Sequence, residues 1–318
     1  MAATTCWVLS DGKPGHENPC RGLAEAVGLD TVVKRVAPRA PWSHLPPRLW
    51  FAPFRAPGPG SDALAPPWPD LMIAAGRQTV ALSIAIRKAS GGRTFTVQVL
   101  KPQAPLERFD LVAAPAHDCA EGANVIATIG ALNRVTPRRL EAEAARFAAT
   151  VARLPTPRVA VLVGGDGKRH RLTPAVAAGI GARLDAFARD AGAGLMVTPS
   201  RRTGAASAAA LGERLDPART VMWNGEGDNP YFGYLGLADA IVVTGDSIAM
   251  VSEACTTGKP VYVLDLPGGA AKFRRFHRDL RDTGRTRRFD GRLESWRYPK
   301  LDETARVAAE VRRRLGLD

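Results

Sequence analysis

The chain has 318 residues, 45% of them apolar and 24% charged, a balance that fits a soluble globular protein and excludes a disordered one. Lysine and arginine number 44 against 31 aspartates and glutamates, and the net charge of +13 favours anionic partners: nucleic acid, acidic lipid or phosphorylated small molecules. No apolar run reaches the roughly 18 residues of a membrane span, and the length suits two domains of about 150 residues each.

Short apolar strands alternate with longer helical patterns along the whole chain, the signature of βαβ units and parallel sheets. The start, "MAATTCWVLSDGKPG", has no basic leader and reaches Asp11 too soon for a signal peptide, so it reads as a first strand over 4–9. Further strands are expected at 31–36, 70–75, 94–99, 109–113 and 124–127, with helices at 17–27, 76–89 and 137–153. The last of these carries Leu140, Ala144, Phe147, Val151 and Leu154 on one stripe. Segment 37–69 is crowded with proline and aromatic residues and reads as a loop or inserted lobe. Its Trp42, Leu49, Trp50, Phe51 and Phe54 either pack on the core or form an apolar lip for a lipid, with Arg48 and Arg55 beside them.

The prolines of "RLPTPR", 153–158, break the chain. The alternation then resumes with strands near 159–163, 194–197, 219–222, 240–243 and 260–264. Helices follow near 174–190, 204–215, 247–257, 271–282 and 303–315, and one more begins at Asn229-Pro230-Tyr231. The expected domains are therefore 1–153, 158–300 and a terminal helix over 301–318 that could cross back to the first. Cys6, Cys20, Cys119 and Cys255 form no C-x-x-C pair, which points to the cytoplasm rather than a disulfide framework. Arginine-rich 272–300 suits a solvated face or an anionic membrane surface.

Two halves that each open on a strand and a glycine loop suggest an α/β protein of two Rossmann-like domains, with parallel sheets facing a cleft. Ligands of such sheets bind at the carboxyl ends of the strands, so the loops there are the places to look. After the first strand, "SDGKPGHENP" offers Gly12 and Gly15 for a tight turn, and Asp11 or His16 as a general base. After the third, "AAGRQT" puts Gly76, Arg77 and Gln78 at a helix start, suited to an anion or to simple capping. "GGDGKRH" supplies Gly164, Gly165 and Lys168 without being a Walker loop or a G-x-G-x-x-G. "TPSRRTG" brings Arg201 and Arg202 to a helix start, where guanidinium forks match phosphate oxygens. Trp223 and Asn224 follow a strand where a nucleobase could stack or hydrogen-bond, and Tyr231 is expected to pack or cap.

"VTGDSIAMVSEACTTGKP", 243–260, places Asp246 and Ser247 at the start of a helix whose amides can hold a phosphate. Glu253 lies about 9 Å further along the axis, in reach of ribose hydroxyls. Together these suit a nucleoside-diphosphate site; the alternative is a capped helix with an exposed Glu253.

"WVLSDGKPGHENP", "TPSRRT" and "GDNPYFGYLGLADAIVVTGDSIAMVSEACTTGKPVYV" resemble the plant mitochondrial-fission family of the elongated-mitochondria type and its bacterial relatives. The likeness runs over nearly the whole chain, with Pro19 standing where the family more usually has Gln. The resemblance implies a GT-B-like architecture and glycosyltransferase chemistry. It gives Glu253 the ribose-binding role, and Ser247 with Arg201 and Arg202 the phosphate contacts. Asp11 to His16 fall in the loop that keeps acceptor contacts and a base. The expected activity is transfer of a sugar from a nucleoside-diphosphate sugar, a co-substrate rather than a bound cofactor, to an envelope- or lipid-linked acceptor. No Asp-x-Asp calls for a metal, and nucleic acid is not an expected partner. The protein is expected to be cytoplasmic, peripheral on the inner face of the membrane. A nucleotide-sugar 2-epimerase and a non-catalytic membrane-associated recruiting protein are the rival readings.

Overall fold

The structure is a computed structural model that describes residues 4–317. It divides into two units: one takes in the chain up to Arg134 and resumes at Asp302, and the other is Val135–Leu301.

The first unit begins with β1 (Cys6–Ser10), α1 (Pro14–Val27) and β2 (Thr31–Arg35). After a long irregular segment come β3 (Leu71–Ala75), α2 (Arg77–Ala89), β4 (Phe95–Val99), β5 (Leu111–Pro115) and β6 (Val125–Thr128). The six strands form one parallel sheet in the order β2-β1-β3-β4-β5-β6. All five residues of β1, of β3 and of β5 are buried, as helices on both faces of a parallel sheet require. The irregular segment divides the two expected roles. Trp42 is buried and Trp50 packs beside Trp7 and Leu9, whereas Leu49, Phe51 and Phe54 stay exposed.

The second unit starts with α3 (Pro137–Phe147), then β7 (Arg158–Val163), α4 (Pro174–Asp190), β8 (Gly194–Pro199), α5 (Ala205–Gly212) and β9 (Thr220–Met222). It continues with α6 (Tyr231–Leu237), β10 (Ala240–Thr244), α7 (Ile248–Thr256), β11 (Val261–Leu264), α8 (Ala271–Asp282) and β12 (Thr286–Arg288). Its parallel sheet has the order β12-β11-β10-β7-β8-β9. Read from the other edge that is 3-2-1-4-5-6 within the unit, the dinucleotide-binding order. β12 has the sequence Thr-Arg-Arg, which carries no apolar signal; its pairing with β11 makes it a strand.

Helix α3, expected with the first half, packs on α6 of the second. Gly236 lets the helices meet, since a Cβ there would lie 2.5 Å from the Leu140 carbonyl oxygen. The helix also stops earlier than its stripe predicts: α3 ends at Phe147 and a single 3-10 turn covers Ala149–Val151. The last helix, α9 (Glu303–Leu315), belongs to the first unit. Val307, Ala308 and Val311 enter the core of that unit beside Leu23 and Ile73, and the Glu303 carboxylate accepts the Ile129 amide at 3.0 Å.

Strand order reverses direction between β1 and β3 in the first unit and between β7 and β10 in the second. The crevice outside the carboxyl ends of such a strand pair is where open α/β sheets bind ligands.

Candidate functional site

At the β1/β3 switch of the first unit, β1 delivers Ser10 and the chain turns through Gly12, whose φ of +75° suits glycine. Helix α1 starts at Pro14, three residues earlier than expected, because proline is well placed in a first helical turn. Gly15 and His16 are therefore helical, and a Cβ on Gly15 would meet nothing within 4 Å, so the turn needs only Gly12. The Asp11 carboxylate, 1% exposed, lies 2.9 Å from His16 Nδ1, while the ring is 27% exposed. Lys13 Nζ is 3.2 Å from the same carboxylate. Burial opposes ionisation of Asp11, but the bonds to His16 and Lys13 outweigh it and hold its pKa below the ordinary carboxylate value. An ionised Asp11 accepts Nδ1–H and so leaves Nε2 of a neutral ring as the acceptor, the arrangement of an oriented general base.

Gly76 completes this corner. At φ +91° it opens α2, and any side chain there would overlap the His16 ring. Glu17 stabilises the corner from behind: it accepts the Ser10 hydroxyl at 2.8 Å and the Arg35 guanidinium at 3.0 and 3.2 Å. Arg77, expected at an anion, is occupied otherwise. Its guanidinium donates to the carbonyls of Ser43 at 2.8 Å and Leu45 at 3.2 Å, which fastens the aromatic segment to α2.

In the second unit the residues predicted for a phosphate separate into two groups. Asp246, Arg202, Gly164 and Gly165 form an internal knot at the β7/β10 switch. The fully buried Asp246 carboxylate accepts Gly165 N–H at 3.0 Å and Thr244 Oγ1 at 2.7 Å and pairs with Arg202 at 2.8 Å. Gly164 donates to Thr244 Oγ1, Asp166 N–H to the Arg202 carbonyl and Gly167 N–H to the His170 carbonyl. The amides of 164–167 are thus engaged within the protein, which corrects the expectation of a phosphate cradle. The two glycines are required by crowding instead: a Cβ on Gly164 would overlap Asp246, and one on Gly165 would overlap the Arg202 carbonyl. Arg202 is paired with Asp246 here, while 42% of its side chain stays exposed. Lys168 is exposed on the same loop.

The second group surrounds an open hollow of about 660 Å3 at the carboxyl ends of β8 and β9. Arg201, Trp223 and Asn224 line it together with Ser200, and Ala205, Ala208 and Gly212 of α5 give it a smooth wall. Trp223 is held by its indole N–H on the Glu226 carbonyl at 2.7 Å, and Asn224 Nδ2 donates to the Glu226 carboxylate at 3.2 Å. The hollow therefore combines an aromatic face, an amide side chain and an arginine, the parts that stack on a base and hold a phosphate.

Ser247 caps α7, its hydroxyl accepting Met250 N–H at 3.4 Å. Glu253 is not the solvent-facing carboxylate of a plain amphipathic helix. The Tyr231 hydroxyl donates to its Oε2 at 2.5 Å, and burial raises the Glu253 pKa to about 7 although that bond lowers it. Tyr231, expected to pack or cap, is the partner of Glu253. Thr203 also escaped sequence reasoning: its hydroxyl donates to the carbonyls of Gly164 at 2.5 Å and Val163 at 3.1 Å, tying the β8 loop to the β7 loop. A threonine beside strand ends has no distinct sequence signal. The half-buried pairing of Tyr231 with Glu253 spans 22 positions and leaves no local pattern.

Residues 14–315 match the model of a family described as mitochondrial fission ELM1. The chain belongs to that family. The mitochondrial fission protein ELM1 of Arabidopsis thaliana is 33% identical over 275 residues, and the matched region covers 78% of this chain but 64% of the plant protein. An uncharacterized protein of Rickettsia prowazekii is 26% identical over 293 residues, with 77% of this chain and 79% of that one covered. Among solved structures, the UDP-GlcNAc 2-epimerase of Methanocaldococcus jannaschii superposes with a TM-score of 0.58 at 10% identity, covering 99% of this chain and 100% of that one. The glycotransferase of kitacinnamycin gives 0.51 at 15% identity, over 99% and 94% of the two chains. At such identities the likeness is one of fold alone, and that fold is GT-B-like. No helix among the described residues is long and apolar enough to cross a membrane.

Proposed function

We propose that this ELM1-family protein transfers a sugar from a nucleoside-diphosphate sugar to an envelope- or lipid-linked acceptor. The observation that carries the proposal is the hollow in the second unit, where Arg201, Trp223 and Asn224 converge at the carboxyl ends of β8 and β9 in a sheet of dinucleotide-binding order. Trp223 would stack on the base, Asn224 would bond its edge, and Arg201 would meet the diphosphate. The first-turn amides of α7 would take a phosphate as well, since a helix N-terminus favours anions. Glu253, with Tyr231 holding one oxygen, would offer the other to ribose hydroxyls. Charge on the departing diphosphate grows in the transition state, so fixed donors aimed at it lower the barrier.

The first unit would supply the base. Asp11 orients His16, whose Nε2 would take the acceptor hydroxyl proton. Leu49, Phe51 and Phe54 are exposed on the same unit, with Arg48 and Arg55 flanking them in sequence, and suit the approach of a lipid-linked acceptor at an anionic membrane surface.

Product analysis with radiolabelled nucleotide sugars tests the reaction. Label transferred to a lipid extract, with nucleoside diphosphate released, is the expected result. Epimerised nucleotide sugar formed without any acceptor would replace transfer by the 2-epimerase reaction. No turnover and no nucleotide affinity would leave a recruiting protein.

A further inference from the structure

A second cavity of about 260 Å3 lies in the same unit on the other side of the switch point. Arg274, His277 and Arg281 of α8, Arg288 of β12, Asp265 after β11 and His170 of the β7 loop line it. Gly268 and Gly269, with φ of +98° and +117°, bend the β11 loop until Gly268 bridges His170, and a side chain on Gly268 would overlap the Arg169 carbonyl. His277 Nε2–H donates to the Gly245 carbonyl at 2.7 Å, which anchors α8 to the end of β10. The wall is therefore a built one, fixed by backbone constraint and a buried imidazole.

Its charge is unbalanced. Asp265 lies 3.8 Å from Arg288 and compensates it. Arg274 and Arg281 form no ion pair among the described residues. They stand seven positions apart on α8, about 10.5 Å along the helix. The layout of the sheet orders the ligand. With the base beyond β8 and β9 and the diphosphate at α7, the group carried by the nucleotide falls toward β11, at strand steps of about 4.8 Å.

We propose that this cavity binds an acidic substituent, a carboxylate or phosphate, on the group that the nucleotide carries. The donor is then a nucleotide derivative of an acidic sugar. Arg274 and Arg281 grip the anion through charge-assisted hydrogen bonds, and Asp265 is placed to accept from sugar hydroxyls. This rests on the nucleotide-sugar reading above and deepens it.

Calorimetric titration of the full chain with UDP, UDP-glucose and UDP-glucuronate tests it, alongside the Arg274→Gln/Arg281→Gln double variant. The arginines are on the surface side of α8, and an unchanged melting curve checks the fold of the variant. We expect UDP-glucuronate to bind at least tenfold tighter than UDP-glucose, and the preference to vanish in the variant while UDP affinity stays. Equal affinity for the two sugars overturns the proposal. So does a variant that loses UDP and both sugars alike, which would make the cavity a diphosphate seat. If GDP binds in place of UDP, GDP-mannose and GDP-mannuronate give the same comparison. Failure of UDP, GDP, ADP and dTDP to bind at all overturns the nucleotide reading itself, a result distinct from binding without preference.

Discussion

The proposed acceptor chemistry rests on the Asp11–His16 pair. His16→Ala should cut turnover about 10²-fold or more, the usual contribution of a positioned base. Asp11→Asn should cost a comparable factor, because the amide no longer fixes Nδ1–H and Nε2 loses its role. Steady-state rates with a saturating acceptor check this, and a variant at full rate removes the base assignment. Glu253 makes a separate statement about pH. Its folded pKa of about 7 lies above the ordinary 4.5, so the folded state holds the proton longer than the unfolded chain. Stability is then greatest below pH 4.5 as far as this group is concerned, and it declines as pH rises toward 7, by up to about 3 kcal/mol. Glu253→Gln, still able to accept from Tyr231, should flatten that decline. Urea midpoints at pH 5 and pH 8 for both proteins decide; an equal pH response in the two would show that Glu253 is not the titrating group. The meeting of Asp11 with His16 was legible from sequence because one short stretch carries both. The pairing of Asp246 with Arg202 was not, since it joins loops 44 positions apart.

Among the elements, the parallel strands announced themselves through continuous apolar runs such as "LVAA" in β5 and "IVVT" in β10, which only burial on both faces explains. β12 was hidden because an edge strand of Thr-Arg-Arg needs no apolar pattern. The assignment of α3 was hidden for a different reason. Its stripe specified a helix and a buried face, but the partner that accepts that face, the glycine-bearing α6, lies about ninety positions away. Gly236→Ala should therefore destabilise the second unit by about 1–3 kcal/mol, the typical cost of overpacking. Gly179→Ala in α4, where a Cβ meets nothing within 4 Å, should be neutral or slightly stabilising. Chemical denaturation of both variants gives the comparison, and equal stabilities would contradict the α3–α6 contact.

At the level of the whole molecule, two parallel α/β sheets were foreseeable from the twofold run of strands and glycine loops. The return of α9 to the first unit is tertiary: its Val307, Ala308 and Val311 fit a core whose other members come from residues 6–132. The net charge of +13 sets how the molecule meets surfaces. With Phe51 and Phe54 exposed, it should sediment with anionic vesicles at low salt and release at high salt, because screening shortens the reach of the arginines. Phe51→Ser/Phe54→Ser should weaken that binding severalfold. Equal recovery in the supernatant with anionic and neutral vesicles would count against a membrane surface as partner.

Nucleotide binding by the second unit is the claim on which the donor chemistry rests. Titration of UDP, GDP, ADP and dTDP into the full chain and into Arg201→Ala and Trp223→Ala measures it directly. One of the four should bind, and each substitution should weaken that binding about tenfold or more while the fold stays intact. No binding by any of them, or an affinity that neither substitution changes, would contradict it.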